Sequence, residues 1–182
     1  MWLLMQQVKW YREGIRVLHF APEEIFWQLF MSLKGIDYWP VDLNPKAYGG
    51  RVRKQVDITD ITFDDNSFDL IMCTHVLEHI PDDKKAMSEL YRVLKPGGIA
   101  FLNVPLFNIP ATFEDPKINT PELRSKYYGQ FDHVRAYGLD YPQRLSNAGF
   151  NVQLFTMNGL DEKILKRYGL DRNEKIFLCR KG

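Results

Sequence analysis

The side chains with the clearest potential for chemistry are His75, Glu78 and His79, which lie within one short stretch. Spacings of three and four residues place all three side chains on one face of a helical turn. Such a group acts either as a general base with an orienting carboxylate or as the ligand set of a divalent metal ion. The alternative is a structural role, in which Glu78 and His79 cap the following helix or fix the loop. We expect no metal, and for Glu78 we favour the structural role.

A second candidate base, His133, lies far along the chain, directly after Asp132 and two residues before Arg135. Adjacent side chains point apart in most backbone conformations, so Asp132 is not expected to orient His133. We expect Asp132 instead to face solvent or to pair with Arg135. His133 and His79 are the residues that we predict to be catalytic.

Length and composition narrow the class of protein. The chain has 182 residues, 45% of them hydrophobic, which is enough for one domain with a sizeable core. Its net charge is +1, so it lacks the excess of basic residues that a nucleic-acid-binding protein carries. Cys73 and Cys179 show neither metal-ligand nor disulfide spacing, and no apolar run is long enough to span a membrane. We therefore expect a single cytoplasmic domain with a small-molecule partner, and no contact with nucleic acid or membrane.

A nearly unbroken apolar run at residues 68–73 has the length of a strand and suits one that is covered on both faces. It stops before the polar pair at residues 74–75. An apolar stripe at helical spacing follows from Pro81, until a turn at residues 95–98 ends it. Open α/β sheets bind their ligands outside the carboxyl ends of the strands. We therefore expect the functional site near residues 73–82.

Further strands and helices alternate along the chain. Residues 25–33 repeat apolar side chains at intervals of three and four, which predicts an amphipathic helix between two strands. The second of these strands contains Pro40, which favours an edge position or a local irregularity because proline cannot donate to a ladder. The predicted strands are residues 16–21, 36–43, 51–56, 68–73, 99–104, 151–157 and 175–179, and the N-terminal segment and residues 139–148 are predicted to be helical. This alternation predicts an α/β fold with a doubly wound parallel sheet.

Residues 105–138 break the pattern. They lack clean periodicity and are rich in Pro, Asn, Thr, Tyr and charged residues, and an irregular segment of this length usually has a function. We expect an irregular substrate-binding or lid segment here. Tyr127, Tyr128 and Tyr137 either line a substrate pocket or pack the segment against the sheet.

Several strings, by their order and spacing, resemble one enzyme family. FDDNSFDLI at residues 63–71, HVLEHI at residues 75–80 and RVLKPGG at residues 92–98 are similar to class I S-adenosylmethionine-dependent methyltransferases of the group called type 11. LHFAPE at residues 18–23 and GQFDHVRAYG at residues 129–138 resemble a bacterial branch of that family. The resemblance implies a Rossmann-like class I methyltransferase fold, in which the seven-strand sheet is mostly parallel and its last strand antiparallel. It also implies S-adenosylmethionine as the cofactor.

The same resemblance implies which residues hold the cofactor. Asp42 matches the carboxylate that binds both ribose hydroxyls, and Asp57 with Ile58 matches the pair that brackets the adenine. The first turn approaches the methionine part, although the glycines and the acid of the family are absent there, and Glu23 is assigned to the ammonium group. The implied cofactor residues are His19, Phe20, Ala21, Glu23, Asp42, Leu43, Asp57, Ile58, Cys73 and His75. The alternative is that Asp42 and Asp57 are ordinary turn residues at strand ends.

The resemblance implies an S-adenosylmethionine-dependent methyltransferase that acts on a small-molecule or glycan-like acceptor, by O- or N-methylation. A non-catalytic or regulatory domain of the same fold is the alternative, because the first turn lacks the glycines of the family. Binding of another adenosine-containing nucleotide has little support, since the sequence contains neither a G-x-G-x-x-G turn nor a P-loop.

Overall fold

The computed structural model describes Met5, Val8, residues 10–158 and residues 160–182. The expected N-terminal helix falls mostly on residues outside this part of the chain. Seven strands form one sheet in the order β3-β2-β1-β4-β5-β7-β6. They are β1 (Arg16–Phe20), β2 (Asp37–Asp42), β3 (Lys54–Gln55), β4 (Phe68–Thr74), β5 (Leu94–Asn103), β6 (Asn151–Thr156) and β7 (Lys175–Arg180).

The direction of the strands defines the fold. Strands β1 to β5 pair in parallel, and β7 runs antiparallel to both β5 and β6. This confirms the predicted α/β fold with a mostly parallel seven-strand sheet and an antiparallel last strand. The strand order changes direction between β1 and β4, and such a switch point opens a crevice at the carboxyl ends of the strands.

Helices cover both faces of the sheet. They are α1 (Glu24–Ser32), α2 (Asp83–Val93), α3 (Pro121–Tyr128), α4 (Tyr141–Asn147) and α5 (Glu162–Tyr168), with 3₁₀ turns at Pro45–Tyr48 and Leu77–His79. Buried residues of α2 and α4 belong to one hydrophobic core, whereas those of α1 and α5 belong to a second core on the opposite face. The two cores are what makes the sheet doubly wound. No helix in the described residues is long and apolar enough to cross a membrane.

Strand β4 shows why its sequence is an apolar run without alternation. Ile71 and Cys73 pack into the core beneath α2 and α4, and Leu70 and Met72 pack into the core beneath α1 and α5. All four side chains are buried. A central parallel strand that is covered on both faces needs apolar residues at every position, as the sequence predicts.

Strand β2 accommodates Pro40 although it has a neighbour on each side. The carbonyl oxygen of Pro40 accepts the N–H of Arg53 at 2.8 Å, on the side away from β1. The ladder with β3 begins only with the pair of Val41 and Lys54, so the missing N–H of Pro40 faces a position where no ladder exists yet. Of the two predicted alternatives, the edge position is wrong, because β2 lies between β1 and β3, and neither pairing of β2 has a register shift.

Two strands differ from their predicted bounds. The third strand was expected at residues 51–56, but only Lys54–Gln55 pair with β2. Strand β5 begins at Leu94 rather than at residue 99, because Phe68 pairs with Leu94 and Leu70 pairs with Ile99. Residues 95–98 therefore form a bulge inside the ladder instead of a turn before it.

The segment at residues 105–138 is not irregular throughout, because it contains α3. Thr120 caps this helix by accepting the N–H of Leu123 on its hydroxyl oxygen at 3.3 Å, and Pro121 occupies the first turn. Isolated bridges join the two flanks of the segment, from Leu106 to Tyr137 and from Phe113 to Ala136. The segment is therefore fixed at its base.

Candidate active site

A cavity of about 340 Å³ opens at the carboxyl ends of β1, β2 and β4. Its walls bring together seven of the ten predicted cofactor residues, from four separate parts of the chain. The lining residues are Phe20, Ala21, Asp42, Leu43, Tyr48, Val56, Asp57, Ile58, His75, Val76, His79, Ile80 and Asp132. We call this the smaller cavity.

The two predicted carboxylates of the smaller cavity also shape their own loops. Asp42 accepts the N–H of Asn44 on its Oδ1 at 2.7 Å. Asp57 accepts both the N–H and the hydroxyl of Thr59 on its Oδ1, at 2.8 and 2.7 Å. Burial and the neighbouring charge of Asp42 raise the pKa of Tyr48 to about 12. Each aspartate therefore stabilises its turn and lines the cavity at the same time, because an Asx turn uses only one of the two carboxylate oxygens.

Two non-glycine residues at the cavity have left-handed backbone conformations. Ala21 has φ +49° and His75 has φ +55°. Backbone hydrogen bonds hold both of them, from the N–H of Ala21 to Val41 at 3.1 Å and from the N–H of His75 to Asn103 at 2.9 Å. Such conformations are strained in L-residues and concentrate at functional sites. Ala21 thus takes a backbone conformation that favours glycine, in the turn where the family's glycines are absent.

His19 lies beneath the first turn rather than in a cavity wall. It is fully buried, with Nδ1 2.8 Å from the Tyr38 hydroxyl and Nε2 2.6 Å from Oε2 of Glu23. The resemblance implied direct contact between His19 and the cofactor. The buried position of His19 corrects that prediction. His19 positions Glu23, and the carboxylate of Glu23 lines the second cavity described below.

Cys73 needs the same correction. Its side chain is fully buried and lines neither cavity, because it points into the core beneath α2. Burial, together with the charges of Glu78 and Glu23, raises the pKa of the Cys73 thiol. A neutral thiol in an apolar core is a packing group.

A larger cavity of about 790 Å³ lies beside the first and shares His75 with it. Polar residues at strand ends and in the α5 connection form much of its wall. The lining residues are Glu23, Ile25, Phe26, Thr74, His75, Asn103, Val104, Pro105, Leu106, Phe107, Asn108, Thr156, Asn158, Arg172, Asn173, Glu174 and Lys175. Of the expected substrate segment, only residues 105–108 contribute to this wall.

The two predicted catalytic histidines come together in space, but not at the larger cavity. The ring centroids of His79 and His133 are 4.8 Å apart, with the rings edge to face. His79 lines the smaller cavity, whereas His133 is buried and lines neither. The histidine that borders both cavities is His75. The sequence analysis placed residues 74–75 at the site but did not identify the polar strand end Asn103, for which the only signal was its position after an apolar run.

A buried carboxylate lies among these histidines. Glu78 is 1% exposed, and neither of its carboxylate oxygens has a hydrogen-bond donor. The nearest charged group is His75, whose Nδ1 lies 3.3 Å from Oε1 of Glu78. This neighbouring carboxylate raises the pKa of His75. The helix α2 is capped by Asp82 rather than by Glu78, so the predicted capping role of Glu78 is wrong.

A buried arginine holds the turn that carries Glu78. Arg135 is 1% exposed and donates to the carbonyl oxygens of Leu77, Ile80 and Pro81. It also pairs with Glu114 at 3.0 Å. The expected pairing of Arg135 with the carboxylate next to His133 is therefore wrong.

The aromatic and acidic groups near Arg135 have structural roles. Asp132 lies 3.3 Å from Nδ1 of His79 and accepts from Gln130. Tyr128 and Tyr137 are buried, and their hydroxyls hydrogen-bond to Asp115 and Asp83, respectively. Tyr127 is exposed, and none of the three tyrosines lines either cavity. Of the two interpretations of the tyrosines, the structure favours packing of the segment.

Comparison with known proteins defines the class. A family model described as a methyltransferase domain matches residues 21–102. A methyltransferase from Mesorhizobium loti described as S-adenosylmethionine-dependent has a TM-score of 0.66 to this structure at 16% identity, over 98% of this chain and 96% of that one. The chain therefore has the class I methyltransferase fold. Within this fold, residues 21–102 are similar to a methyltransferase domain.

Parts of larger proteins are also similar to this chain. Phosphoethanolamine N-methyltransferase 2 of Caenorhabditis elegans is 45% identical over 138 residues, which is 70% of this chain and 29% of that protein. The corresponding protein of Haemonchus contortus, solved in complex with S-adenosyl-L-methionine, has a TM-score of 0.65 at 18% identity, over 99% of this chain and 51% of that one. The chain spans less than a third of the length of the curated relatives it matches.

Proposed function

We propose that this protein transfers a methyl group from S-adenosylmethionine to a small-molecule or glycan-like acceptor, by O- or N-methylation. The observation that carries the proposal is the arrangement of two cavities that meet at His75, the smaller one lined by Asp42 and Asp57. The smaller cavity is assigned to the adenosine part of the cofactor and the larger one to the methionine end and the acceptor. The whole chain is proposed to act as one domain in the cytoplasm.

The residues of the smaller cavity suit an adenosine. Carboxylates accept hydrogen bonds from ribose hydroxyls and from an exocyclic amine, which assigns Asp42 to the ribose and Asp57 to the adenine. Ile58 is buried and offers an apolar surface to the adenine ring. The strained turn at Ala21 brings the backbone of β1 to the cavity without a side chain larger than a methyl group.

Glu23 compensates for the acid that the first turn lacks. Its carboxylate is fixed by His19 at 2.6 Å and lines the larger cavity. A fixed carboxylate pairs well with an ammonium group, so we assign Glu23 to the amino group of the methionine end. S-adenosylmethionine supplies an electrophilic methyl group when it is bound, and the chain has to orient the acceptor towards it.

The wall of the larger cavity supports a small, polar acceptor. Arg172 and Lys175 offer positive charge, Glu174 offers negative charge, and Asn103 and Asn108 are amides. The relative in Caenorhabditis elegans is named for a small acceptor, phosphoethanolamine, that carries both a phosphate and an amine. We propose an acceptor of comparable size and polarity. His75, which borders both cavities, replaces His79 and His133 in our proposal as the histidine that contacts the acceptor.

Titration calorimetry with S-adenosylmethionine and with its demethylated product tests the cofactor assignment. Asp42→Asn should weaken both affinities by about 10- to 100-fold, since hydrogen bonds to a charged group contribute about 1.5–3 kcal/mol. Asp64→Asn is the matched control, because Asp64 is an exposed turn residue outside both cavities. Equal affinities for the two variants would remove Asp42 from the cofactor site.

A non-catalytic domain is the second candidate, and the degenerate first turn favours it. Absence of binding at millimolar cofactor would support this candidate over the enzyme. If the cofactor binds, formation of the demethylated product with phosphoethanolamine as the probe acceptor tests catalysis directly. A bacterial branch marked by LHFAPE at residues 18–23 stays a hypothesis about the origin of that turn.

A further inference from the structure

Glu78, His79 and His133 form a compact cluster that the proposed methyl transfer does not use. One carboxylate oxygen and one nitrogen of each ring lie within 4.8 Å of one another. The three side chains come from two places, the 3₁₀ turn Leu77–His79 and the segment that follows α3. The backbone joins these places directly, because the N–H of Val134 donates to the carbonyl of Glu78 at 2.9 Å.

The carboxylate of Glu78 lacks the partners that a buried charge needs. It is 1% exposed, and both oxygens are buried without a hydrogen-bond donor. Leaving a buried ionised carboxylate without such partners is costly, so native structures supply a paired cation or a metal ion. His75 approaches only one oxygen, at 3.3 Å, and its side chain is 63% exposed. The carboxylate therefore lacks the partner that a bound cation would supply.

The two histidines are held in the way that metal ligands are held. Nδ1 of His133 lies 2.9 Å from the carbonyl oxygen of Tyr128. Because a carbonyl oxygen only accepts, the proton of a neutral His133 is on Nδ1 and the lone pair is on Nε2. Nδ1 of His79 lies 3.3 Å from Oδ2 of Asp132, which orients that ring in the same manner. Metal-binding histidines commonly donate their second nitrogen to a carbonyl or a carboxylate in this way.

We propose that Glu78, His79 and His133 bind a divalent transition-metal ion of the Zn²⁺ type. Two imidazoles and one carboxylate form a recognised zinc ligand set that leaves a fourth position for water. Tetrahedral ligands with bonds of about 2.0–2.1 Å lie about 3.4 Å apart, so the cluster needs to contract by about 1.4 Å at most. The ion would tie the turn after β4 to the segment after α3, with its open position towards the smaller cavity through His79.

This ligand set differs from the one that sequence spacing suggests. Spacing groups His75 with Glu78 and His79, whereas the structure replaces His75 with His133. His75 has a left-handed backbone and an exposed side chain at the mouth of both cavities. The two groupings make opposite predictions for substitutions of His75 and His133, which provides a matched pair of variants.

Cobalt binding tests the proposal without any methyl acceptor. The full chain, free of a polyhistidine tag and stripped with a chelator, is titrated with CoCl₂ and followed by the visible absorption of bound Co²⁺, and ZnCl₂ is then added as a competitor. We expect one equivalent per chain, without a thiolate-to-cobalt band, because Cys73 and Cys179 are buried and are not part of the cluster. Zn²⁺ should displace Co²⁺ and raise the melting temperature.

The variants decide which side chains are ligands. His133→Asn and Glu78→Gln should each weaken Co²⁺ binding by at least about tenfold and abolish the rise in melting temperature. His75→Asn should keep the affinity of the unchanged chain. If Glu78→Gln does not fold, His79→Asn replaces it, since the His79 side chain is 30% exposed. Absence of saturable binding at millimolar metal, or a loss caused by His75→Asn but not by His133→Asn, would overturn the proposal.

Discussion

Arg135 is the side chain whose removal should destabilise this protein most clearly. Its guanidinium group is 1% exposed and donates to three backbone carbonyls of the turn that carries Glu78 and His79. It also pairs with Glu114 at 3.0 Å. Arg135→Met keeps most of the side-chain volume and removes every one of these bonds. The carbonyl oxygens of Ile80 and Pro81 would then lose this donor, whereas Leu77 keeps the hydroxyl of Tyr137 and Glu114 keeps Arg144.

The size of the effect follows from burial. A buried carbonyl oxygen that loses its donor costs about 1–3 kcal/mol, so the two carbonyls together cost about 2–6 kcal/mol. For a chain of this length, each kcal/mol lowers the melting temperature by about 2–4 °C, so we expect a decrease of about 4–24 °C. The melting temperature of Arg135→Lys should lie between those of the unchanged protein and Arg135→Met, since lysine keeps the charge but not the planar fork of donors.

Urea denaturation with linear extrapolation measures the change in the free energy of unfolding. Arg12→Met is the matched control, because Arg12 also pairs with an aspartate, Asp69, but its side chain is 73% exposed. That control should cost at most about 1 kcal/mol. If Arg135→Met lost no more stability than Arg12→Met, the inference that Arg135 holds the turn would be refuted.

Two further substitutions test the strained turn and the acid range. Ala21→Gly should raise the free energy of unfolding by up to about 1 kcal/mol, because glycine removes a left-handed strain of about 1–2 kcal/mol but adds entropy to the unfolded chain. The control Ala148→Gly, at φ −81°, should lower the free energy of unfolding by about 0.5–1 kcal/mol. Equal losses in the two variants would contradict the strain at Ala21. Arg92 lowers the pKa of Glu89 to about 2, so Glu89→Gln should lower the free energy of unfolding by about 1.5–3 kcal/mol at pH 7. Urea titrations should show that this loss of stability shrinks as the pH falls from about 4.5 towards 2. A loss that does not change with pH would contradict the pairing of Glu89 with Arg92.

Much of the fold could be predicted from the sequence, because the apolar period changes where the elements change. The run at residues 68–73 is apolar at every position but Asp69, since both of its faces are covered, and that pattern identified the central strand. The bulge at residues 95–98 was missed because Leu94 returns to the ladder before the glycines, and pairing partners are not visible in a local pattern. The helix α3 was missed because six of its eight residues are exposed and they form no apolar stripe.

The site was predictable where it depends on strand ends and not where it depends on distant contacts. Asp42 ends β2 and Asp57 lies two residues after β3, so their position could be read from the order of elements. His19 also lies at a strand end, but its ring points into the core towards Tyr38, and the face of a buried strand is not marked when both faces are apolar. The meeting of Glu78 with His133 depends on how the segment after α3 returns to the sheet, which spacing along the chain does not contain.

The bridges at the base of residues 105–138 bear on how an acceptor molecule enters and leaves. Leu106 pairs with Tyr137, Phe113 pairs with Ala136, and Arg135 fastens the same end of the segment to the turn after β4. A segment that is fastened at both flanks does not swing as a flap. Passage of acceptor and product through the larger cavity is then expected to depend on the opposite wall of that cavity. This wall is the connection around α5, which contributes Asn158 and residues 172–175. Exchange of acceptor and product would then be gated by the antiparallel part of the sheet, away from the strands that we propose to hold the cofactor.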